Sequence, residues 1–199
     1  MATTMNNQVL AEVLAPREGM ALRVKQAVLV VLGVAALAVA AQIKVPMYPV
    51  AINMATFAVL TIGAAYGPRL GLTTIMAYMI LGALGMDIFQ SSTAELNGLE
   101  YMMGGTGGYL LGYVLATVLL GYAARAGFDR SPSRMALAML AGNVLLYIPG
   151  LLWLGQVYGW DKPILAWGLT PFIIGDLLKL ALAAMIVPAV WKLVGKARA

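Results

Sequence analysis

The stretch MALAMLAGNVLLYIPGLLWLG, residues 135–155, contains no charged side chain and is as long as a helix that crosses a lipid bilayer. Five further apolar stretches come close to this length, at residues 21–41, 50–66, 70–86, 106–126 and 170–193. They are continuous and rich in Ala, Leu and Met, which favours helices over membrane strands. The sequence therefore predicts an all-α integral membrane bundle of six transmembrane helices. It occupies residues 21–199, after a cytoplasmic N-terminal tail of residues 1–20.

The composition excludes several classes of function. Hydrophobic residues make up 62% of the chain and charged residues 11%, which is about half the charged share of a soluble domain. The absence of Cys and His removes thiol nucleophiles, the usual imidazole base and the commonest metal ligand, so we expect neither an enzyme nor a metal site. The net charge of +5 is spread along the chain and not gathered in one patch, which argues against a nucleic-acid partner.

Lysine and arginine are divided unequally between the two sides of the predicted bundle. Ten lie in the N-terminal tail, the second and fourth loops and the C-terminus, whereas the other three loops hold only Lys44 and Lys162. The positive-inside rule therefore predicts a multi-pass protein of the inner membrane with both termini in the cytoplasm. An alternative is that the first segment, which ends Ala38-Val39-Ala40, is a cleaved signal peptide. We prefer a retained helix, because the segment is long enough to span and its preceding region is unusually long.

The last apolar stretch carries two charged residues in its outer half. Thr170 and Pro171 are typical of the cap and first residue of a helix, which would place Asp176 about 9 Å along that helix. Lys179 follows one turn later on the same face. Charges inside a membrane are costly and normally pair within the bundle. The pair is either a structural ion pair or, as its depth favours, an anchor for a ligand that enters from outside.

A glycine-rich segment, Gly104-Gly105-Thr106-Gly107-Gly108, opens the fourth predicted helix. It is no phosphate-binding P-loop, because no Gly-Lys-Ser/Thr follows and no strand precedes it. It ends a long outer loop on the same side as the start of the last helix, and loops of that length are often functional, for example as lids. The alternative is a flexible linker.

Small residues recur on the first predicted helix. Ala36 and Ala40, at spacing i, i+4, would allow another helix to approach closely. The spacing fits internal packing and a docking face equally well.

Several short runs, in order from about residue 40 to the C-terminus, give the chain its resemblance to a known family. They are Ile43-Lys44-Val45-Pro46 with Pro49-Val50, Thr56-Phe57-Ala58-Val59-Leu60, Gly63-Ala64-Ala65-Tyr66-Gly67-Pro68-Arg69-Leu70-Gly71, Gly82-Ala83-Leu84-Gly85, Thr106-Gly107-Gly108-Tyr109-Leu110, Tyr147-Ile148-Pro149-Gly150-Leu151 and Pro171-Phe172 with Gly175-Asp176 and Lys179. In this ordered set the chain resembles the BioY family. These proteins are the biotin-specific substrate-binding subunits, or S components, of energy-coupling factor (ECF) importers.

The resemblance implies a site and partners. The chain would capture biotin at the outer side, with Asp176 and Lys179 as the principal binding residues. Further candidate ligand-binding residues, by position only, are Tyr48, Asn53, Thr56, Thr106 and Tyr109. It would dock through Ala36 and Ala40 on a transmembrane coupling protein driven by two ABC-type ATPases. ATP would be used only by those ATPases, since this chain has no nucleotide-binding motif.

The chain departs from the family pattern near the expected pocket. Ala51, Asn53 and Ala55 replace the usual Pro, Thr and Gln, and Gly105 replaces a proline. Asp87 lies in a run that differs from the family's as well. A diverged S component for another small vitamin-like molecule is therefore an alternative. A membrane-embedded enzyme is less favoured, because Asp176 has no second intramembrane carboxylate. The last alternative is a purely structural subunit, in which the ion pair of Asp176 and Lys179 would serve only to pack the helices.

Overall fold

The computed structural model describes residues 8–13, 19–45, 48, 50–93 and 96–196, and the side chains of this set up to residue 194. Several residues named above lie outside the described part of the chain: Pro46, Pro49 and most of the predicted N-terminal tail. The elements, in chain order, are α1 Leu10–Val13, α2 Gly19–Gln42, β1 Lys44–Val45, β2 Ile52–Asn53, α3 Ala55–Ala83, α4 Gly98–Met103, α5 Gly107–Arg125, a 3-10 turn Phe128–Arg130, α6 Pro132–Tyr158, α7 Ile164–Gly168, a second 3-10 turn Thr170–Phe172 and α8 Ile173–Lys196.

Helix α3 is a hairpin of two helical halves, residues 55–66 and 68–83. The backbone of Gly67 has φ 76° and ψ 178°, which no residue inside a helix adopts, and Pro68 follows it. A Cβ built on Gly71 would lie 3.7 Å from the Cα of Gly63, although eight residues of a continuous helix span about 12 Å. The two halves are therefore antiparallel and correspond to the predicted second and third helices.

The predicted six-helix membrane bundle is confirmed. Among the described residues, four segments are long and apolar enough to cross a membrane: Gly19–Gln42, Gly107–Arg125, Pro132–Tyr158 and Ile164–Val194. The two halves of α3 complete the six, each shorter than any of those four. Glycines allow the helices of the bundle to approach one another closely. On α5, for example, a Cβ on Gly112 would lie 2.4 Å from the carbonyl oxygen of Leu146 on α6.

One end of the bundle holds most of the described Lys and Arg side chains, and we call it the basic end. It comprises the start of α2, the Gly67 turn, the end of α5, the turn Phe128–Arg130 and the end of α8. Helix α1 packs onto this end, where Val9 is fully buried and lies against Gly67. Glu12 forms an ion pair with Arg125. Residues 8–13 of the predicted tail are thus part of the folded bundle.

Two local features differ from expectation. Residues 44–45 and 52–53 form a small antiparallel β-ladder, in which Lys44 pairs with Asn53. The prediction that Thr170 caps the last helix is wrong. Helix α8 begins at Ile173, after a 3-10 turn, and the hydroxyl of Thr170 donates a hydrogen bond to the carbonyl of Leu165 at 3.2 Å. The turn places Phe172 in the core before the long helix starts.

Candidate functional site

A small cavity lies at the end of the bundle opposite the basic end. Its walls come from the end of α2, strand β2, both halves of α3, the loop after α3, and helices α4, α5, α6 and α8. Its polar lining consists of Asn53, Thr56, Tyr78, Gln90, Tyr101, Thr106, Tyr109, Tyr113, Tyr147 and Lys179. The volume is about 40 Å³, enough for one or a few water molecules. In this conformation, side chains or loops must move before a larger ligand can enter.

A buried ion pair lies at one wall of the cavity, with Lys179 in the lining and Asp176 behind it. The ammonium of Lys179 lies 2.8 Å from Oδ1 of Asp176, and the two side chains are 9% and 6% exposed. Both residues belong to the first turns of α8, on one face at spacing i, i+3. This arrangement satisfies both charges inside an apolar bundle, where either one alone would be costly.

Two neighbouring hydroxyls complete the hydrogen bonding of the pair. Thr56, at the start of α3, accepts from Lys179 at 3.0 Å and donates to Oδ1 of Asp176 at 3.3 Å. Tyr147, on α6, donates to Oδ2 of Asp176. Three helices therefore meet at one carboxylate. Lys179 uses two of its three N–H donors on these described partners.

Most, but not all, of the predicted site residues line the cavity. Lys179, Thr56, Asn53, Thr106 and Tyr109 line it. Asp176 lies behind Lys179, Thr56 and Tyr147 and contributes instead to an apolar groove between α6 and α8. Its direct role here is to orient the three groups that face the cavity.

Tyr48 lies outside the cavity lining. It is 78% exposed, and its ring packs edge-on against Tyr158 at a centroid distance of 6.3 Å. The two alanines of α2 also differ from each other, since Ala36 is exposed and Ala40 is buried in the bundle.

Two of the lining residues hold the backbone around the cavity. Asn53 accepts a hydrogen bond from the amide of Ala55 at 2.7 Å, which fixes the start of α3. Tyr109 donates to the carbonyl of Gly168 at 2.8 Å, which ties α5 to α7. The amide NH₂ of Asn53 faces the Tyr113 hydroxyl, so one of its two donors remains for a ligand.

The loop that follows α3 covers the cavity. Phe89 is fully buried, stacks on Tyr101 and packs edge-on against Tyr78. Gln90 donates to the carbonyl of Ala51 at 2.8 Å and accepts, through its own carbonyl, a hydrogen bond from Tyr101. Burial raises the pKa of the Tyr101 phenol, so it stays protonated and can donate. The loop is therefore joined to the residue before β2 and to α4 across the mouth of the cavity.

Sequence reasoning missed several cavity residues, chiefly Tyr147, Tyr113, Tyr78 and Gln90. Tyrosine is common in membrane helices at interfaces, so a tyrosine in an apolar run is a weak signal. Tyr147 lies near the middle of α6, within an apolar run, and its type and spacing gave no signal of its own. Gln90 gave no signal, since its position depends on how the loop folds.

Comparison with known proteins agrees with this architecture. The chain matches the model of the BioY family over residues 8–196. It is 36% identical to the probable biotin transporter BioY of Pyrococcus horikoshii over 83% of this chain and 95% of that protein. It is 29% identical to the biotin transporter BioY of Thermotoga maritima, over 76% of this chain and 87% of that one.

A solved structure shares the fold. The crystal structure of the S-component for biotin from an ECF-type ABC transporter superimposes with a TM-score of 0.75, covering 88% of this chain and 95% of that one at 21% sequence identity. At this identity the likeness is evidence of fold alone. The family model, by contrast, spans nearly the whole chain. The chain belongs to the BioY family.

Proposed function

We propose that this protein captures biotin in the cavity and serves as the substrate-binding subunit of an ECF-type vitamin importer. The observation that carries the proposal is the buried pair of Asp176 and Lys179, oriented by Thr56 and Tyr147 at the cavity wall. Membership of a family whose curated relatives are named biotin transporters supports it.

The chemistry of the wall suits this ligand. Biotin combines a ureido ring, which has N–H donors and a carbonyl acceptor, with a carboxylate on an aliphatic chain. Lys179 retains a donor for a carbonyl or carboxylate, and Asn53 retains one amide donor besides the one directed at Tyr113. The aromatic rings of Tyr109, Tyr113 and Phe172 provide apolar surface for the rest of the molecule.

The orientation follows from the charge distribution. We place the protein in the inner membrane. According to the positive-inside rule, its basic end faces the cytoplasm and its cavity end faces the opposite side. The chain has no cysteine, so single cysteines can test this. A membrane-impermeant maleimide should label Thr93→Cys in spheroplasts, and Ser133→Cys only after the membrane is opened. The reverse pattern would contradict the proposed orientation.

Energy would come from partner subunits. We propose that a transmembrane coupling protein with two ABC-type ATPases uses ATP to drive release, with α2 as the docking helix. The exposed apolar surface of α2 supports this, as Val28, Val31 and Leu32 are each at least half exposed. Ala36 lies on the exposed side, whereas Ala40 is covered by the chain's own helices.

A second candidate is an S component for a different small vitamin-like molecule. It is favoured by one specific observation: Ala51, Asn53 and Ala55, three of the departures from the family pattern, all line the cavity. Replacement of an amide by Ala55 removes hydrogen-bonding groups that a polar ligand could use. A missing hydrogen bond of this kind changes affinity by about ten- to a hundredfold.

Isothermal titration calorimetry of the detergent-purified protein with biotin tests the proposal. We expect tight binding that is lost in Asp176→Ala and weakened in Asp176→Asn, which keeps the shape of the side chain. Asp161→Ala, at an exposed loop aspartate outside the cavity lining, is the matched control and should bind as the wild type does. An intact, monodisperse protein that does not bind biotin would reject biotin and favour the second candidate.

A further inference from the structure

A groove opens at the basic end of the bundle, far from the cavity. It runs between α1, α2 and the second half of α3, next to the end of α5, and has a volume of about 710 Å³. Its mouth carries Lys25, Arg69 and Arg125, and its floor is apolar. The groove shares no lining residue with the cavity, and neither Asp176 nor Lys179 lies in it.

The charges in this groove are only partly neutralised. Arg125 is paired with Glu12, and Lys25 donates to the backbone carbonyl of Ala11 at 3.3 Å. Arg69 is exposed and has no ion-pair partner among the residues that the structure describes. The described lining therefore carries a net charge of +2, with Lys25 and Arg69 available to an anion.

The apolar floor continues onto the exposed apolar face of α2. Leu29, Val30 and Leu70 line the groove, and Val31, also in its lining, is 66% exposed on α2. A ligand that fits must therefore combine an anionic head with a long apolar body. A free anion would contact only the basic mouth of the groove and would leave the apolar floor without a partner.

We propose that this groove binds an anionic phospholipid, with its phosphate between Lys25 and Arg69 and an acyl chain along Leu29 and Val30. Basic residues at the surface of a membrane attract anionic lipids, and a pocket between helices adds shape to that attraction. The Glu12–Arg125 pair forms the rim, so the lipid would also hold α1 against the bundle. The proposal is independent of which ligand occupies the cavity.

Native mass spectrometry of the full chain in phosphatidylglycerol–phosphatidylcholine nanodiscs tests this. We expect the wild type to retain phosphatidylglycerol in preference to phosphatidylcholine. The double variant Lys25→Gln/Arg69→Gln should bind phosphatidylglycerol roughly thirty-fold more weakly, from the usual contribution of two basic residues near a membrane surface. Lys25→Arg/Arg69→Lys, which keeps both charges, should retain it.

A matched control separates the groove from general charge attraction. Arg134→Gln/Lys192→Gln also removes two exposed cations at the basic end, both outside the groove lining, and should retain phosphatidylglycerol. An equal loss in this control, or equal retention of the two lipids by the wild type, would overturn the proposal.

Two further results would reassign the groove. Displacement of the lipid by an equal concentration of inorganic phosphate would show that the site takes a free anion. A photoreactive maleimide on Val30→Cys should crosslink to lipid, since the chain has no other cysteine. Crosslinking to a partner protein in place of lipid would show that the groove is a protein-docking surface, and would overturn the lipid assignment.

Discussion

Tyr147 on α6 donates its phenolic hydrogen bond to the same carboxylate, Asp176 on α8, that holds Lys179. The link joins α6 to α8 at the wall of the cavity. It makes the position of Lys179 depend on a residue that sequence reasoning did not select.

Replacement of Tyr147 by Phe should therefore weaken ligand binding. The change removes one hydrogen bond to a buried carboxylate and keeps the ring, so we expect about tenfold lower affinity for biotin by calorimetry. Tyr122→Phe, at an exposed tyrosine of α5, should leave the affinity unchanged. Unaltered binding by Tyr147→Phe would mean that the hydroxyl does not organise the site.

The buried ion pair should behave as a unit in stability measurements. Lys179→Met leaves the Asp176 carboxylate buried without its cation, which typically costs about 3–5 kcal/mol. The double variant Asp176→Asn/Lys179→Met removes both charges and should recover much of that loss, seen as a higher melting temperature in detergent.

The exposed pair of Lys162 and Asp161 provides the matched control. Their side chains are 49% and 73% exposed, and such surface pairs contribute about 0–1 kcal/mol. Lys162→Met should therefore melt close to the wild-type temperature. Equal destabilisation by Lys162→Met and Lys179→Met would show that burial does not determine the contribution of the ion pair.

The long helices were predictable because each is a continuous apolar run bounded by charges or turn residues. The predicted stretch 106–126, for example, became Gly107–Arg125. The gap between the predicted stretches 50–66 and 70–86 became the chain reversal inside α3, where Gly67 allows positive φ and Pro68 lacks an amide donor. The β-ladder at Lys44 and the short helices α4 and α7 were not predictable, because elements this short depend on tertiary contacts.

The site was predictable where a residue type conflicts with its surroundings. Asp176 and Lys179 were found because charges are rare in apolar helices. Tyr147 and Gln90 were not found, as neither conflicts with its neighbours and only the folded chain brings them to the cavity. Tyr48 was selected from its position in the loop, and the structure places it outside the lining.

Loss of the Phe89 ring should loosen the loop over the cavity. The ring lies against Gly82, stacks on Tyr101 and is fully buried, so Phe89→Ala removes its packing at a typical cost of about 3–5 kcal/mol. We expect faster dissociation of bound biotin, followed with radiolabelled ligand, and faster proteolysis within residues 84–93. Leu84→Ala, in the same loop but 77% exposed, should alter neither rate. Dissociation from Phe89→Ala at the wild-type rate would show that the loop does not retain the ligand.

Two glycine-to-alanine changes should have opposite effects on stability. A Cβ on Gly121 would lie 2.3 Å from the backbone nitrogen of Pro68, so Gly121→Ala forces α5 away from the α3 turn. Overpacking of this kind costs about 1–3 kcal/mol or more. A Cβ on Gly175 would meet only Ile52, at 3.9 Å, and Gly175→Ala should stabilise α8 by about 0.5–1 kcal/mol. Melting temperatures from fluorescence-detected size-exclusion chromatography compare the two directly. If Gly121→Ala melted at or above the temperature of Gly175→Ala, the close contact between α5 and the Gly67 turn would not be needed for the fold.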